Sequence, residues 1–269
     1  MTASDKVYDG NNTATITSCT LSGVIAPDVV TCSDSATFAD KNVGTWTVTA
    51  TGITLGGGSA TNYTLSSTTT TTTAQITPKT LTASITGNPT KPYDGSTSAT
   101  LTAANFSLTG LVGSESFTVT QTSGTYNSKD VTTAATVTSS LTAGNFTPTG
   151  GALASNYTLP TTASGAGHIT AVTVTASIIG DPTKIYDGNA TATLTSANFS
   201  LSGLIGSESF TVTKTGGTYN SKDVLTANTV STTLAGTDFT PSGGALASNY
   251  TLPTTASGPG HITAKSVTP

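Results

Sequence analysis

The residues of this chain that could support chemistry occur three times, in the same order. Near its start each copy carries a Lys-x-Tyr-Asp-Gly motif, and an Asn-Tyr-Thr-Leu motif follows later. The positions are Lys6, Tyr8, Asp9, Gly10 and Asn62; Lys91, Tyr93, Asp94, Gly95 and Asn156; and Lys184, Tyr186, Asp187, Gly188 and Asn249. A lysine, a carboxylate and an asparagine are the groups that form a Lys–Asn isopeptide bond. The candidate pairs, with their acids, are Lys91–Asn156 with Asp94 or Asp130, and Lys184–Asn249 with Asp187. That reaction requires a buried lysine with a depressed pKa, and the turn beside each lysine argues against it.

A structural role is the one we expect for the three motifs. Asp-Gly after an aromatic residue predicts a turn, in which the Asp94 carboxylate accepts backbone N–H groups and Gly95 adopts a positive φ. The ring of Tyr93 can be buried while its hydroxyl stays hydrogen-bonded. A calcium site on Asp94, Asp130 and nearby carbonyls is the alternative. Calcium takes six to eight oxygen ligands and each copy has few acids, so we expect no cofactor and no metal.

A hairpin is predicted in the second copy from the alternation of apolar residues. With a turn at Leu111–Ser114, Phe106 faces Val119 and Leu108 faces Phe117, so that four apolar side chains share one face. Such cross-strand pairs stabilise a sheet by about 0.2–1 kcal/mol each. The register therefore predicts two directly paired strands.

The two cysteines of the first copy align with two apolar residues of the hairpin predicted in the second copy. Alignment of the Leu-x-Gly turns places Cys19 where Phe106 stands and Cys32 where Val119 stands. Directly opposed residues of an antiparallel pair are close enough for a disulfide. We expect a Cys19–Cys32 disulfide, which fits an oxidising location outside the cell; two buried thiols are the alternative.

The other polar and aromatic candidates are expected to be structural. His168 and His261 have no second histidine or cysteine nearby, so neither metal binding nor catalysis is indicated. Surface charges at a strand entry are predicted for Lys129-Asp130 and Lys222-Asp223, and a solvated turn for Ser114-Glu115-Ser116 and Ser207-Glu208-Ser209. A core or edge position is expected for Trp46. No nucleophile elbow, Walker loop, dinucleotide fingerprint or zinc spacing is present, and we expect no enzyme activity.

Composition argues against two classes of partner, nucleic acid and the membrane interior. The chain has no arginine and a net charge of −4, which argues against nucleic acid. No apolar run approaches the roughly 20 residues that span a bilayer, so no membrane insertion is expected. We expect a monomer, with any targeting or anchoring segment outside these residues.

The copies define the domain organisation. Residues 79–171 are repeated without a gap at 172–264, so we expect domains at 1–78, 79–171 and 172–269, the last including the start of a linker. Threonine is abundant and favours strands. In the second copy the predicted strands are Leu81–Ile85, Ala99–Thr102, Phe106–Leu108, Phe117–Gln121, Thr136–Leu141, Tyr157–Leu159 and Gly167–Thr170. The expected fold is all-β, with three immunoglobulin-like β-sandwich domains in an elongated rod.

The recurring Lys-x-Tyr-Asp-Gly, Asn-Tyr-Thr-Leu and closing Ile-Thr-Pro or Ile-Thr-Ala segments resemble the YDG repeat domain. That domain occurs in tandem in large bacterial surface adhesins of the filamentous-haemagglutinin type. The resemblance implies an extracellular or cell-surface, non-catalytic stalk or spacer segment, whose surface ligand is bound by regions outside these residues. The alternative is an adhesive module that binds glycan or host protein, for which Trp46 is the candidate.

Overall fold

The structure is a computed structural model that describes residues 1–269. Its regular elements are β-strands and single turns of 3-10 helix, which confirms the predicted all-β class. β-Branched residues, threonine above all, suit a pleated surface and are poor helix formers. None of the helices is long and apolar enough to cross a membrane.

The first repeat contains seven strands. They are β1 (Thr2–Ala3), β2 (Lys6–Val7), β3 (Thr13–Ala14), β4 (Ile16–Ser18), β5 (Thr31–Phe38), β6 (Gly44–Gly56) and β7 (Thr70–Thr77). Five of them form a sheet in the order β2-β7-β6-β5-β3, in which β2 runs parallel to β7 and the other pairs are antiparallel. Strands β1 and β4 form a separate pair. Alternate residues of β5 and β6 point inward, and Phe38 and Val48 are fully buried.

Each of the other two repeats contains twelve strands. In the second repeat they are β8 (Lys79–Thr80), β9 (Thr82–Ile85), β10 (Thr90–Pro92), β11 (Ser98–Thr100), β12 (Phe106–Thr109), β13 (Ser116–Val119), β14 (Ser123–Tyr126), β15 (Thr136–Ser140), β16 (Phe146–Thr149), β17 (Tyr157–Thr158), β18 (Thr162–Ala166) and β19 (His168–Thr170). In the third they are β20 (Val172–Thr173), β21 (Thr175–Ile178), β22 (Thr183–Ile185), β23 (Thr191–Thr193), β24 (Phe199–Ser202), β25 (Ser209–Val212), β26 (Gly216–Tyr219), β27 (Thr229–Thr233), β28 (Phe239–Ser242), β29 (Tyr250–Thr251), β30 (Thr255–Pro259) and β31 (His261–Thr263). The 3-10 turns are Ala60–Asn62, Ala103–Asn105, Ala143–Asn145, Ala154–Asn156, Ser196–Asn198, Gly236–Asp238 and Ala247–Asn249.

The third repeat shows the complete strand order. Six strands form a mixed sheet in the order β23-β26-β27-β30-β21-β24, with β21 parallel to β30. Two further parallel pairs, β20 with β29 and β22 with β31, and one antiparallel pair, β25 with β28, complete it. The fully buried side chains include Ile178, Leu194, Val230 and Ile262, so this repeat has its own apolar core.

Contacts divide the chain into two compact units. One consists of residues 1–86, 101–122 and 139–164; the other consists of residues 87–100, 123–138 and 165–269. The first unit holds the first repeat together with β8, β9, β12, β13, β16 and β17 of the second. The other unit holds β10, β11, β14 and β19 of the second repeat and the whole third repeat, and the boundary between the units passes through β15 and β18. The second repeat therefore contributes to both units.

The predicted hairpin is wrong. Strand β12 pairs with β9, so that Phe106 lies opposite Ile85, and β13 pairs with β16, so that Val119 lies opposite Phe146. Alternating apolar residues fit any partner with the same alternation. The alternation along β12 and β13 is therefore satisfied equally well by β9 and β16, which are the partners in the fold.

Cys19 and Cys32 are joined by a disulfide with a Cα–Cα distance of 6.1 Å. Cys32 lies in β5 and pairs with Leu55 of β6, while Cys19 follows the end of β4. The disulfide therefore links a strand to a neighbouring loop rather than two paired strands.

Candidate functional site

The Lys-x-Tyr-Asp-Gly motif forms the end of a strand followed by a turn. In the second repeat Lys91 lies in β10, and the Tyr93 N–H donates to the Thr170 carbonyl at 2.8 Å. The Asp94 carboxylate accepts the Ser96 N–H at 2.9 Å and the Lys91 ammonium at 2.6 Å. Although partial burial acts in the opposite direction, these hydrogen bonds lower the pKa of Asp94. The motif thus holds its own turn together and fixes where the tyrosine points.

The first tyrosine of the series meets a residue of the next repeat. Tyr8 is 1% exposed, and its hydroxyl donates to Oε1 of Glu115 at 2.5 Å. The hydroxyl of Tyr157 donates to the other oxygen of Glu115, also at 2.5 Å. The two rings pack edge to face with centroids 5.5 Å apart, a favoured arrangement of aromatic pairs. One carboxylate therefore joins the tyrosine of one repeat to a tyrosine of the next.

The second tyrosine of the series repeats the arrangement. Tyr93 is also 1% exposed and donates to Glu208 at 2.5 Å, while Tyr250 donates to the same carboxylate at 2.6 Å. The Tyr93 and Tyr250 rings lie 5.6 Å apart at 78°. Glu115 and Glu208 are the only glutamates of the chain, and each occupies the centre of such a cluster. We call these two tyrosine–glutamate–tyrosine clusters, with the asparagines described next, the joints.

Each joint also contains the asparagine of an Asn-Tyr-Thr-Leu motif. Asn156 is 1% exposed, accepts the Val43 N–H at 2.9 Å and donates to the Asn42 side chain at 2.9 Å. Both contacts reach from the second repeat to a loop of the first. An asparagine has the acceptor and the donors for this bridge on one side chain.

The second joint uses the same pattern with a charged partner. Asn249 is fully buried, accepts the Val131 N–H at 2.9 Å and donates to the Asp130 carboxylate at 2.8 Å. The hydrogen bonds from Asn249 and then Lys129 lower the pKa of Asp130. The Lys129 ammonium also lies 3.4 Å from the Tyr93 hydroxyl, so the loop contributes two groups to the joint.

Burial and the shared carboxylates raise the pKa of each tyrosine in the joints. Burial, followed by the hydrogen bond to Glu115, raises the pKa of Tyr8 and of Tyr157 to about 12. Burial and Glu208 raise the pKa of Tyr250 to about 12 and also raise the pKa of Tyr93. Each phenol therefore remains a neutral donor to a carboxylate, and charge-assisted hydrogen bonds of this kind are stronger than neutral ones.

The glycine of the motif makes close packing possible. Gly10 has a φ of 82°, and a Cβ at this position would lie 2.9 Å from the Val112 side chain of the next repeat. Gly95, with a φ of 78°, faces Ile205, from which a Cβ would lie 3.5 Å away, an ordinary contact distance. At Gly10 a Cβ would require the Val112 side chain to shift.

The third copy of the motif forms the same turn, but its tyrosine is not covered by another repeat. Lys184 donates to Asp187 at 2.6 Å and to the Asn189 side chain at 2.8 Å. Tyr186, unlike its two counterparts, is partly exposed. Asn62, the first asparagine of the series, is exposed as well.

Two expectations about charged residues are wrong. The serines of the two Ser-Glu-Ser turns are exposed, as expected, but the Glu115 and Glu208 side chains are not solvated, because each accepts two tyrosine hydroxyls. Asp130 is not a mere surface charge at a strand entry, because it lies in a loop and binds the buried Asn249. The available signal was compositional: the only two glutamates of the chain stand at equivalent positions of two repeats.

The residues considered for an isopeptide bond in the third repeat have other hydrogen-bond partners. The Lys184 ammonium is hydrogen-bonded to Asp187 and Asn189, whereas the Asn249 side-chain amide is hydrogen-bonded to Asp130 and Val131. No group of three or more histidine, cysteine or acidic side chains is placed to hold a metal ion. His168 contacts Asn88, and His261 contacts Asp181. Trp46 is half-buried in β6 and donates its ring N–H to the Asn42 carbonyl at 2.6 Å.

Comparison with known proteins gives one match. The sequence model of the YDG domain matches the chain three times, at residues 1–72, 77–164 and 170–257. No curated protein and no solved structure matches it. The three matched segments each contain one Lys-x-Tyr-Asp-Gly motif and one Asn-Tyr-Thr-Leu motif. The first two copies of the former and the last two copies of the latter build the joints.

Proposed function

We propose that this chain, which belongs to the YDG domain family, is a non-catalytic stalk or spacer segment of a bacterial cell-surface or secreted adhesin. The observation that carries the proposal is the repeated joint. Tyr8 with Glu115, and Tyr93 with Glu208, use the family's motif to fasten one repeat to the next. Residues that could have served catalysis are engaged in holding repeats together.

The joints suit a spacer because they restrict rotation between repeats. Each combines an edge-to-face tyrosine pair, two hydrogen bonds to one carboxylate and an asparagine bridge to a separate loop. Contacts at two separated points resist both bending and twisting. The connection is short as well, since β7 ends at Thr77, β8 begins at Lys79, and Pro78 between them restricts the backbone.

The finer architecture follows from the same features. We propose that each repeat is an immunoglobulin-like sandwich and that the array is an elongated rod. Short alternating strands and a separate apolar core in the third repeat support the sandwich. Rigid, repeated joints support the rod.

An extracellular location agrees with the covalent chemistry. The Cys19–Cys32 disulfide is of a kind that persists in oxidising compartments. Low charge without arginine gives a surface with little attraction to nucleic acid. The adhesive-module alternative gains no support from Trp46, because its single polar donor is used within the first repeat.

Small-angle scattering of the whole chain tests the proposal. A compact globule of 269 residues has a radius of gyration of about 18 Å, and we expect a clearly larger value with little flexibility. A Glu115→Gln, Glu208→Gln double variant should give a broader distribution of distances at unchanged strand content. A value near that of a compact globule, in either protein, would contradict the spacer.

A further inference from the structure

The chain carries two exposed surfaces that are the separate halves of a joint. The third repeat presents Tyr186, Asp223 and Val224, which correspond to Tyr93, Asp130 and Val131 of the completed second joint. The first repeat presents Asp28, Asn62 and Tyr63, which correspond to Glu208, Asn249 and Tyr250. We name them the tyrosine half and the acid half.

Exposure shows that both halves are uncovered. The Asp223 side chain is 61% exposed, against 24% for Asp130 in the completed joint. Ile25, which corresponds to the covered Val112 and Ile205, is 72% exposed. A Cβ at Gly188 would meet nothing within 4 Å, whereas its counterparts Gly10 and Gly95 face the next repeat.

The acid half is already arranged as in the completed joints. Tyr63 donates to Asp28 at 2.7 Å, as Tyr157 does to Glu115. The Ile25 N–H donates to the Tyr63 hydroxyl at 3.0 Å, as the Val112 N–H does to Tyr157 at 3.1 Å. The other Asp28 oxygen accepts Ser59 at 3.1 Å, and a carboxylate oxygen has capacity for a further donor.

We infer that the tyrosine half of one molecule binds the acid half of a second copy of this chain, completing the joint between molecules. Tyr186 donates to Asp28, while Asn62 donates to Asp223 and accepts the Val224 N–H. Ile25 packs on Gly188, as Ile205 packs on Gly95. The inference rests on the two internal joints and is independent of the proposed adhesin role.

The symmetry of this contact fixes the form of the assembly. The two halves differ, so the contact is head to tail, and each added molecule leaves one free half of each kind. Such contacts give open chains rather than closed dimers unless the geometry closes a ring. The sequence predicts a monomer, so self-association distinguishes the two views.

Sedimentation velocity of the whole chain over a wide concentration range is the test. We expect the wild type to form dimers and larger species as concentration rises. Tyr186→Phe and Asn62→Ala should each weaken association roughly tenfold or more, the loss expected for a hydrogen bond involving a charged or buried partner. Asp28→Glu should strengthen it, because glutamate occupies this position in both internal joints.

A mixture of the two weakened variants gives the decisive result. The Tyr186→Phe protein retains an intact acid half and the Asn62→Ala protein retains an intact tyrosine half, so the mixture should form heterodimers that do not grow. Leu225→Thr is the control, because Leu225 is 98% exposed and threonine stands at the equivalent Thr132. Association that Leu225→Thr abolishes but Tyr186→Phe leaves intact would overturn the inference, as would a monomer at every concentration for both the wild type and Asp28→Glu.

Discussion

Tyr8 and Tyr157 pack edge to face, with ring centroids 5.5 Å apart, and donate to opposite oxygens of Glu115. One tyrosine belongs to a Lys-x-Tyr-Asp-Gly motif and the other to the Asn-Tyr-Thr-Leu motif of the following repeat. Two motifs that lie far apart within a repeat thus meet across two repeats. The recurrence of both motifs with the repeat period follows from this contact, because each repeat must supply one half to each neighbour.

The tyrosine hydroxyls should matter only where a joint is complete. Tyr93→Phe removes a charge-assisted hydrogen bond to Glu208 and should lower the free energy of unfolding by about 1.5–3 kcal/mol. Tyr186→Phe should change it by less than about 0.5 kcal/mol in dilute protein, as is usual for an exposed side chain. Urea unfolding of both variants measures the difference. Equal effects at the two positions would mean that Tyr93 acts within its own repeat.

The carboxylate at the centre of a joint is harder to replace. Glu208→Gln keeps the shape but substitutes an NH₂ donor for one oxygen, so that a tyrosine hydroxyl loses its acceptor. We expect a loss of about 2 kcal/mol or more, since a part-buried donor is left unsatisfied. Asp223→Asn, which alters an exposed ion pair with Lys222, is the control and should be nearly neutral. Similar small losses in both variants would contradict a stabilising joint.

The asparagine bridge offers a second matched pair. Asn249→Ala leaves the Val131 N–H and the Asp130 carboxylate without their partner, at a cost of about 1–3 kcal/mol. Asn62→Ala alters the equivalent position in the first repeat, where the side chain is exposed, and should cost little. Denaturant titration at low protein concentration compares them. A larger loss for Asn62→Ala would refute the assignment.

Local sequence patterns predict seven strands of the second repeat, whereas its other strands form because they pair with residues far away in the sequence. All seven strands predicted in the second repeat are present within a residue or two, but the sequence does not predict β8, β10, β14, β16 and β18. The last four contain proline or glycine, which lower strand propensity, and they form because distant strands pair with them. Strand β16, for example, contains Pro148 and pairs with β13. Composition cannot reveal a partner that lies tens of residues away.

Local sequence patterns cannot predict the joint either, because its residues come from two different repeats. Tyr93 was expected to be buried with a bonded hydroxyl, yet its acceptor, Glu208, lies 115 residues away in the next repeat. A turn such as Ser207-Glu208-Ser209 is exposed in an isolated repeat and becomes covered only beside a neighbour. Alignment between repeats predicts that Cys19 and Cys32 are close, and the disulfide joins them. Phe106 and Val119, which stand at the matching positions of the second repeat, nevertheless do not pair with each other.

Reduction of the disulfide should destabilise the first repeat. Cys19 and Cys32 are 13 residues apart, and closing a loop of this size restricts the unfolded chain by roughly 3 kcal/mol on the chain-entropy estimate. We expect the urea midpoint of the first transition to fall on reduction. A Cys19→Ser, Cys32→Ser variant serves as control and should not respond to reductant. An unchanged midpoint in the wild type would show that the fold does not depend on this link.

Alkaline pH should loosen the joints before the strands. Burial and the shared carboxylates raise the pKa of Tyr8, Tyr157 and Tyr250 from the ordinary 10.0 to about 12. Above pH 10 the unfolded chain loses phenolic protons that the folded chain keeps, so the unfolded state binds fewer protons and stability falls as pH rises. The contribution is complete below pH 10 and is lost between about pH 10 and pH 12, with a slope on the order of 1 kcal/mol per pH unit for each tyrosine.

Two measurements separate this effect from general alkaline unfolding. Phenolate absorbance should show that some of the eight tyrosines ionise well after the others. In denaturant titrations at about pH 9, 10 and 11, a Tyr8→Phe, Tyr157→Phe double variant should lose stability with pH less steeply than the wild type. Lysine deprotonation is common to both proteins and cancels in the comparison. Identical slopes, or a single titration step near pH 10, would show that the carboxylates do not hold these phenols protonated, and the electrostatic account of the joint would fail.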